Sequence, residues 1–197
     1  MKNQFYGIGL LILVSIGFMT CDKPESRQFG IFKVLDNDLT IEMEGTINSK
    51  SLDNFNELLE SYPNINLVNI VECDGSSDDE INLQLSAKVY QQGIQTHLLD
   101  DGLIASGGTD FFLAGTKRTI GSNTKIGVHS WSDGSSEATD FPVGDSKHQP
   151  YIDYYVSVGF TTQEAKDFYY FTINAATASN IHWMTASEIT QYKILKN

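Results

Sequence analysis

Cysteine and positive charge are what this sequence has least of. Two cysteines in 197 residues allow one disulfide at most, which excludes a disulfide-stapled scaffold. Thirteen Lys and Arg stand against 25 Asp and Glu, a formal net charge of −12. That balance repels a phosphate backbone. The aromatic run Tyr169-Tyr170-Phe171 has only Lys166 close by, so it reads as packing surface and no nucleic-acid partner is expected. Metal-ligand spacings such as H-x-x-x-H and C-x-x-C are missing, and neither a metal nor a cofactor is expected. Asp78-Asp79-Glu80 reads as the acidic first turn of a helix rather than a calcium site. With 41% hydrophobic and 19% charged residues, the chain has the make-up of one globular domain with a real core.

The first 20 residues read as an export signal: Lys2 is their only charge, and an apolar run from Ile8 to Met19 follows that is short for a membrane span. The end of the run, Phe18-Met19-Thr20-Cys21, resembles a lipoprotein signal, in which Cys21 becomes the lipidated first residue, although Thr20 is bulkier than the usual Gly or Ala. Residues 21–28 then form a polar tether and residues 29–197 the domain. On this reading the protein is exported to the cell envelope, periplasm or outer surface, and held on a membrane through Cys21. Cys73 is then left without a partner for a disulfide.

Along the domain, strand-like and helix-like segments alternate. Residues 30–34 and 39–43 flank Asp36-Asn37-Asp38 as a hairpin. Ser51 opens a helix that Pro63 ends, with Leu52, Phe55, Leu58 and Leu59 on one face. Residues 67–71 read as a buried strand, and Ser77-Asp-Asp-Glu80 as a capping box for the helix carrying Ile81, Leu85 and Val89. Strands follow at 95–99 and 125–129 around a buried helix at 109–114. Residues 131–147 are polar and aperiodic, a lid or a mobile excursion. Helices are expected over 149–158 and 162–175 and from Thr185 onward. The alternation predicts an α/β fold with a mainly parallel sheet.

Ser106 sits between a strand and an apolar helix, followed by Gly107-Gly108. A hydroxyl there meets the free N–H groups of a helix start, which stabilise a developing oxyanion, and Gly107 lets the backbone approach a carbonyl closely. His129 ends an apolar strand 23 residues later, spacing that one helix and a return strand fill, so its imidazole can come back beside Ser106 as general base. The Gly75-Ser76 turn offers a second backbone donor. The pattern is not G-x-S-x-G. Of the other histidines, His97 reads as a hydrogen-bonded strand residue, His148 as exposed and His182 as packing. Lys88, the candidate for a Ser-Lys dyad, reads as a solvated helix charge.

The order of Glu72-Cys-Asp-Gly-Ser-Ser77, Ala105-Ser106, Leu113-Ala-Gly115 and Ile126-Gly-Val-His129 resembles the proteolytic subunit of the Clp protease within the crotonase superfamily. It is closer still to a secreted branch of that group, and His182-Trp-Met-Thr-Ala-Ser-Glu188 resembles a later segment of the same branch. The resemblance spans roughly residues 38–192. It implies a superhelix of ββα units and a peptide or protein substrate. It also implies self-association, Ser106 as nucleophile, His129 as base, and the Ser76 and Gly107 N–H groups as oxyanion hole. The sequence departs from the family at Asp74, where the family has Pro, and at Ser76, where it has a second Gly. The family's acid falls at Ile181 or its neighbour Asn180. Isoleucine cannot orient an imidazole, whereas Asn180 can accept its N–H without supplying charge. Asp133, Asp140, Asp145, Asp153 and Asp167 are further acids that the sequence does not place. The expectation is a tethered serine hydrolase of slow turnover; the alternative is a catalytically impaired relative that binds or interacts.

Overall fold

The computed structural model describes Met1 and residues 27–197. The export signal, Cys21 and most of the tether lie outside the described residues, and no described helix is long and apolar enough to cross a membrane. The chain begins with β1 (Gln28–Phe29), β2 (Phe32–Val34) and β3 (Thr40–Glu44), then α1 (Ser51–Ser61), β4 (Leu67–Cys73), α2 (Asp79–Gln91), β5 (Gln95–Ala105) and α3 (Gly107–Leu113). It continues through β6 (Arg118–Ile120), β7 (Lys125–Val128), α4 (Gln149–Ser157), α5 (Thr162–Ala175), β8 (His182–Trp183) and α6 (Ala186–Gln191).

These strands form one sheet in the order β1-β2-β3-β4-β5-β7-β8, with β6 paired to β5. The β3, β4, β5, β6 and β7 pairings are parallel, while the N-terminal hairpin and the β7–β8 pair are antiparallel. The expected mixed α/β class with a mainly parallel sheet is what the chain forms. Phe32, Phe55, Leu58, Leu85, Phe111 and Phe112 are fully buried between the sheet and the helices, the apolar burial that drives such a layered fold.

β5 runs well past the predicted 95–99. Asp101 takes a positive φ of 59°. Yet the register merely shifts there: Ile70 lies opposite Leu98 and Glu72 opposite Leu103. Residues before this irregularity pair with β6 and residues after it with β7. The irregularity thus re-aims the strand so that it ends at Ser106 beside β7, as bulges near sites commonly do.

One helix start differs from expectation. The N-cap of α2 is Asp78, whose side chain accepts from the Ile81 N–H, and not Ser77. α1 opens at Ser51 as expected, with Lys50 at its N-cap and the buried Ser51 hydroxyl accepting from the Asn48 N–H. The capping boxes at Thr161 and Thr185 form as read.

Candidate active site

Ser106 stands between β5 and α3 with φ 53° and ψ −130°. A non-glycine residue there carries about 1–3 kcal/mol of backbone strain and persists only where its surroundings hold it. The Ser106 N–H donates to Gly127 O at 3.1 Å, and its carbonyl accepts from Thr109 N at 2.8 Å. The Thr109 hydroxyl donates to the same Gly127 carbonyl at 2.8 Å. The nucleophile candidate is therefore bolted to β7, the strand that carries His129 at its end.

The β4–α2 turn meets it from the other side. A Cβ placed on Gly75, whose φ is +150°, would lie 3.2 Å from Ser106 Cβ. A Cβ on Gly107 would lie 2.5 Å from Ser76 Oγ and 2.8 Å from Asn82 Nδ2. Glycine at 107 is thus what lets the two turns close on each other, and Asn82 secures the contact by donating to Gly107 O at 3.1 Å. Among the described residues, neither the Ser76 N–H nor the Gly107 N–H has an acceptor. The departures at 74 and 76 are accommodated. Asp74 is exposed and accepts from the Thr46 hydroxyl at 2.7 Å. Ser76 gives its hydroxyl to Asp79 Oδ1.

Ser106, Gly107 and His129 line one cavity of about 40 Å³, room for a few water molecules. No hydrogen bond joins Ser106 Oγ to His129 among the described residues. Catalytic contacts are often loose before substrate binds. The His129 Nδ1 atom is buried with no partner. Asn180 does not supply one: it is exposed, and its amide donates to Thr177 Oγ1 at 2.8 Å and Ser179 Oγ at 3.3 Å, within its own turn. Asp133, Asp140 and Asp145 hold backbone or hydroxyl groups of their own loop, while Asp153 and Asp167 accept from Gln149 and Gln163. Lys88 lies away from Ser106, against Asn56, Leu59, Glu60 and Gln92.

Residues 131–147 are irregular, as expected, but they are held in place. Trp131 stacks between Phe141 and Tyr151, at centroid distances of 5.8 and 6.2 Å. Its indole N–H donates to Tyr169 OH at 2.9 Å. His148 is buried rather than exposed, with Nδ1 2.7 Å from Tyr169 OH. His97 behaves as read, its ring 2.8 Å from the Thr119 hydroxyl. His182 does more than pack: its Nε2 lies 3.0 Å from the Glu188 carboxylate. Cys73 is buried under α3, and burial pushes its thiol up to about 12, so it is inert.

The sequence reading missed two carboxylates that share this cavity, Asp79 and Asp110. Tyr151 and Tyr155, one turn apart on α4, donate to them at 2.8 and 2.6 Å. Burial pushes the Asp110 carboxyl up to about 7, only partly offset by the Tyr155 hydroxyl, and the negative charge of Asp79 adds to the rise. The available signal was Asp110 itself, one acid inside the apolar stretch Gly107–Leu113.

A carboxyl that is protonated more readily when folded makes the folded state bind more protons than the unfolded one between pH 3.8 and about 7. Stability then falls as pH rises through that window, by about 1.4 kcal/mol per pH unit at most. Asp110→Asn is expected to stabilise the protein by up to about 4 kcal/mol at pH 8 and hardly at all at pH 4. Urea denaturation at the two pH values measures this; equal effects at both would refute the assignment.

No protein-family model and no curated protein matches the sequence. Solved structures do match. The ClpP protease catalytic domain from Plasmodium falciparum superposes with a TM-score of 0.53 at 18% identity, over 81% of this chain and 83% of that one. ClpP1 from Listeria monocytogenes gives 0.52 at 15% identity, over 81% and 89%. The 1510-N membrane-bound stomatin-specific protease, a K138A mutant in complex with a substrate peptide, gives 0.51 at 18% identity, over 80% and 72%. Likeness at such identities is likeness of fold, and the fold is that of the Clp-type serine proteases.

Proposed function

We propose that this Clp-protease-like fold carries a serine hydrolase acting on peptide or protein amide bonds. Ser106 Oγ attacks the substrate carbonyl as His129 takes its proton. The Ser76 and Gly107 N–H groups receive the negative charge that develops on the carbonyl oxygen. The intermediate collapses, His129 returns the proton to the leaving amine, and water, activated by the same imidazole, releases the acyl group from Ser106. The observation that carries the reading is the convergence of a strained Ser106 with two unpaired backbone donors from separate turns. Strain of this kind is retained where it positions a functional group.

A fluorophosphonate probe is expected to label the protein at Ser106 between pH 6 and 9, with labelling lost in Ser106→Ala and reduced in His129→Ala. Mass spectrometry of the labelled peptide checks it. No labelling anywhere in that range would overturn the reading. It would leave the second one, a non-catalytic relative that binds through the same cleft, which the unpartnered His129 Nδ1 favours.

The proposal includes a place in the cell envelope, with residues 1–20 removed and Cys21 lipidated. Metabolic labelling with a palmitate analogue, abolished by Cys21→Ala, tests that part. Self-association, as the resemblance implies, belongs to it too and is read by sedimentation.

A further inference from the structure

The candidate nucleophile faces a cavity whose charged lining is of one sign. Asp79 and Asp110 both border it, and among the described residues no lysine or arginine does. The pair is built rather than incidental. Asp79 is gripped at Oδ1 by Ser76 and at Oδ2 by Tyr151, while Asp110 is gripped at Oδ1 by Tyr155. Asp110 Oδ2 has no partner among the described residues.

A half-buried carboxylate without a counter-charge is held partly in its protonated form, and a cation beside it restores the charge. A tether between α3 and α4 does not require it. Tyr154 already provides one by donating to the Asp110 carbonyl at 2.5 Å. An amide side chain would accept from Tyr155 equally well. The charge that would balance Asp110 is missing from the protein, and the cavity is where it can enter.

We propose that the cleft selects a substrate carrying a cationic group, an alkylammonium such as a lysine side chain, beside the attacked carbonyl, with Asp110 as its counter-charge and Asp79 reinforcing it. This rests on the reading of Ser106 as nucleophile. Two features agree with it. The hydroxyls of Tyr151 and Tyr155 hold the two carboxylates at the border of this cavity. The net charge of −12 raises the local concentration of cations around the cleft.

The test uses n-butylammonium as probe, titrated calorimetrically into the full-length protein at pH 8, with n-butanol and butyrate as controls. Saturable binding of the ammonium alone is expected. Asp110→Asn should weaken it at least tenfold, and lowering the pH to 5.5, which protonates Asp110, should do the same. Tyr155→Phe, which keeps the carboxylate and frees it, should retain binding. Wild-type protein supplies an independent readout: n-butylammonium should slow fluorophosphonate labelling of Ser106, whereas n-butanol should not. Equal binding of butanol, or undiminished ammonium binding in Asp110→Asn, overturns the inference. If Ser106 labels normally but the ammonium neither binds nor protects, the specificity inference alone fails. If the ammonium binds and Ser106 never labels, the hydrolase reading fails instead.

Discussion

Ile181→Asp is expected to raise the proposed hydrolytic turnover by about 10²-fold, within the roughly 10⁴-fold that a triad carboxylate contributes where one has been replaced. The reason lies in the His129 ring. A base that takes a proton from Ser106 at Nε2 must carry its own hydrogen at Nδ1, and Nδ1 is buried without an acceptor. Leaving that N–H unpaired costs about 1–3 kcal/mol, so the neutral ring favours the other tautomer, in which Nε2 cannot accept. The imidazolium formed during attack also gains no neighbouring charge. β8 runs antiparallel to β7 with Gly127 opposite Trp183 and Val128 opposite His182, which brings Ile181 level with His129. A Cβ on Gly127 would lie 2.6 Å from Ile181 Cγ2, so Ile181 lies over that face of β7, and strand alternation turns His129 to the same face. At 37% exposure, position 181 can take a carboxylate without a large desolvation cost. The gain should appear in kcat. Turnover unchanged or lower in a folded Ile181→Asp protein would mean that the Nδ1 side of the ring is not where the wild-type activity is lost.

What the sequence displays and what it hides divide along physical lines. Ser106, Gly107 and His129 were legible because each stands at a boundary between periodic segments, and such boundaries are where glycine and unpaired backbone groups show. The packing of residues 131–147 was illegible for the opposite reason. Trp131, Phe141, His148, Tyr151 and Tyr169 meet only in three dimensions, and none repeats at a strand or helix period. The polar residues between them look like a free loop, although Asp133 alone accepts from Ser135, Ser136 and Lys147. β6 and β8 were missed because strands of three and two residues leave no alternation to read. Asn180 stands one residue before Ile181, and a one-residue offset beside a strand changes which way a side chain points. The turn at Asp100-Asp101-Gly102 hid half of β5, since side-chain preference records the kink and not the strand that continues through it.

Gly108→Ala is expected to cost about 3 kcal/mol of stability, a large share of what a domain of this size has. The effect runs against intrinsic preference, since alanine in a helix is worth about 1 kcal/mol over glycine. Contact decides the sign. A Cβ at position 108 would drive into the Cys73 carbonyl oxygen and lie 2.9 Å from Cys73 Sγ and 3.1 Å from its carbonyl carbon. Two of those three atoms are backbone of β4, a strand held on both sides by β3 and β5, so the strand cannot move aside cheaply. α3 must lift instead, carrying with it Phe111 and Phe112, both fully buried. Gly107→Ala meets mainly Ser76 and Asn82 side chains, which can rotate, so its stability loss should be the smaller of the two. Its effect falls on the approach of the two amide donors, so loss of probe labelling should exceed loss of stability. Chemical denaturation and fluorophosphonate labelling of both variants separate the two roles. If Gly108→Ala proves as stable as wild type, the close seating of α3 on β4 is not what holds Ser106 in its strained conformation.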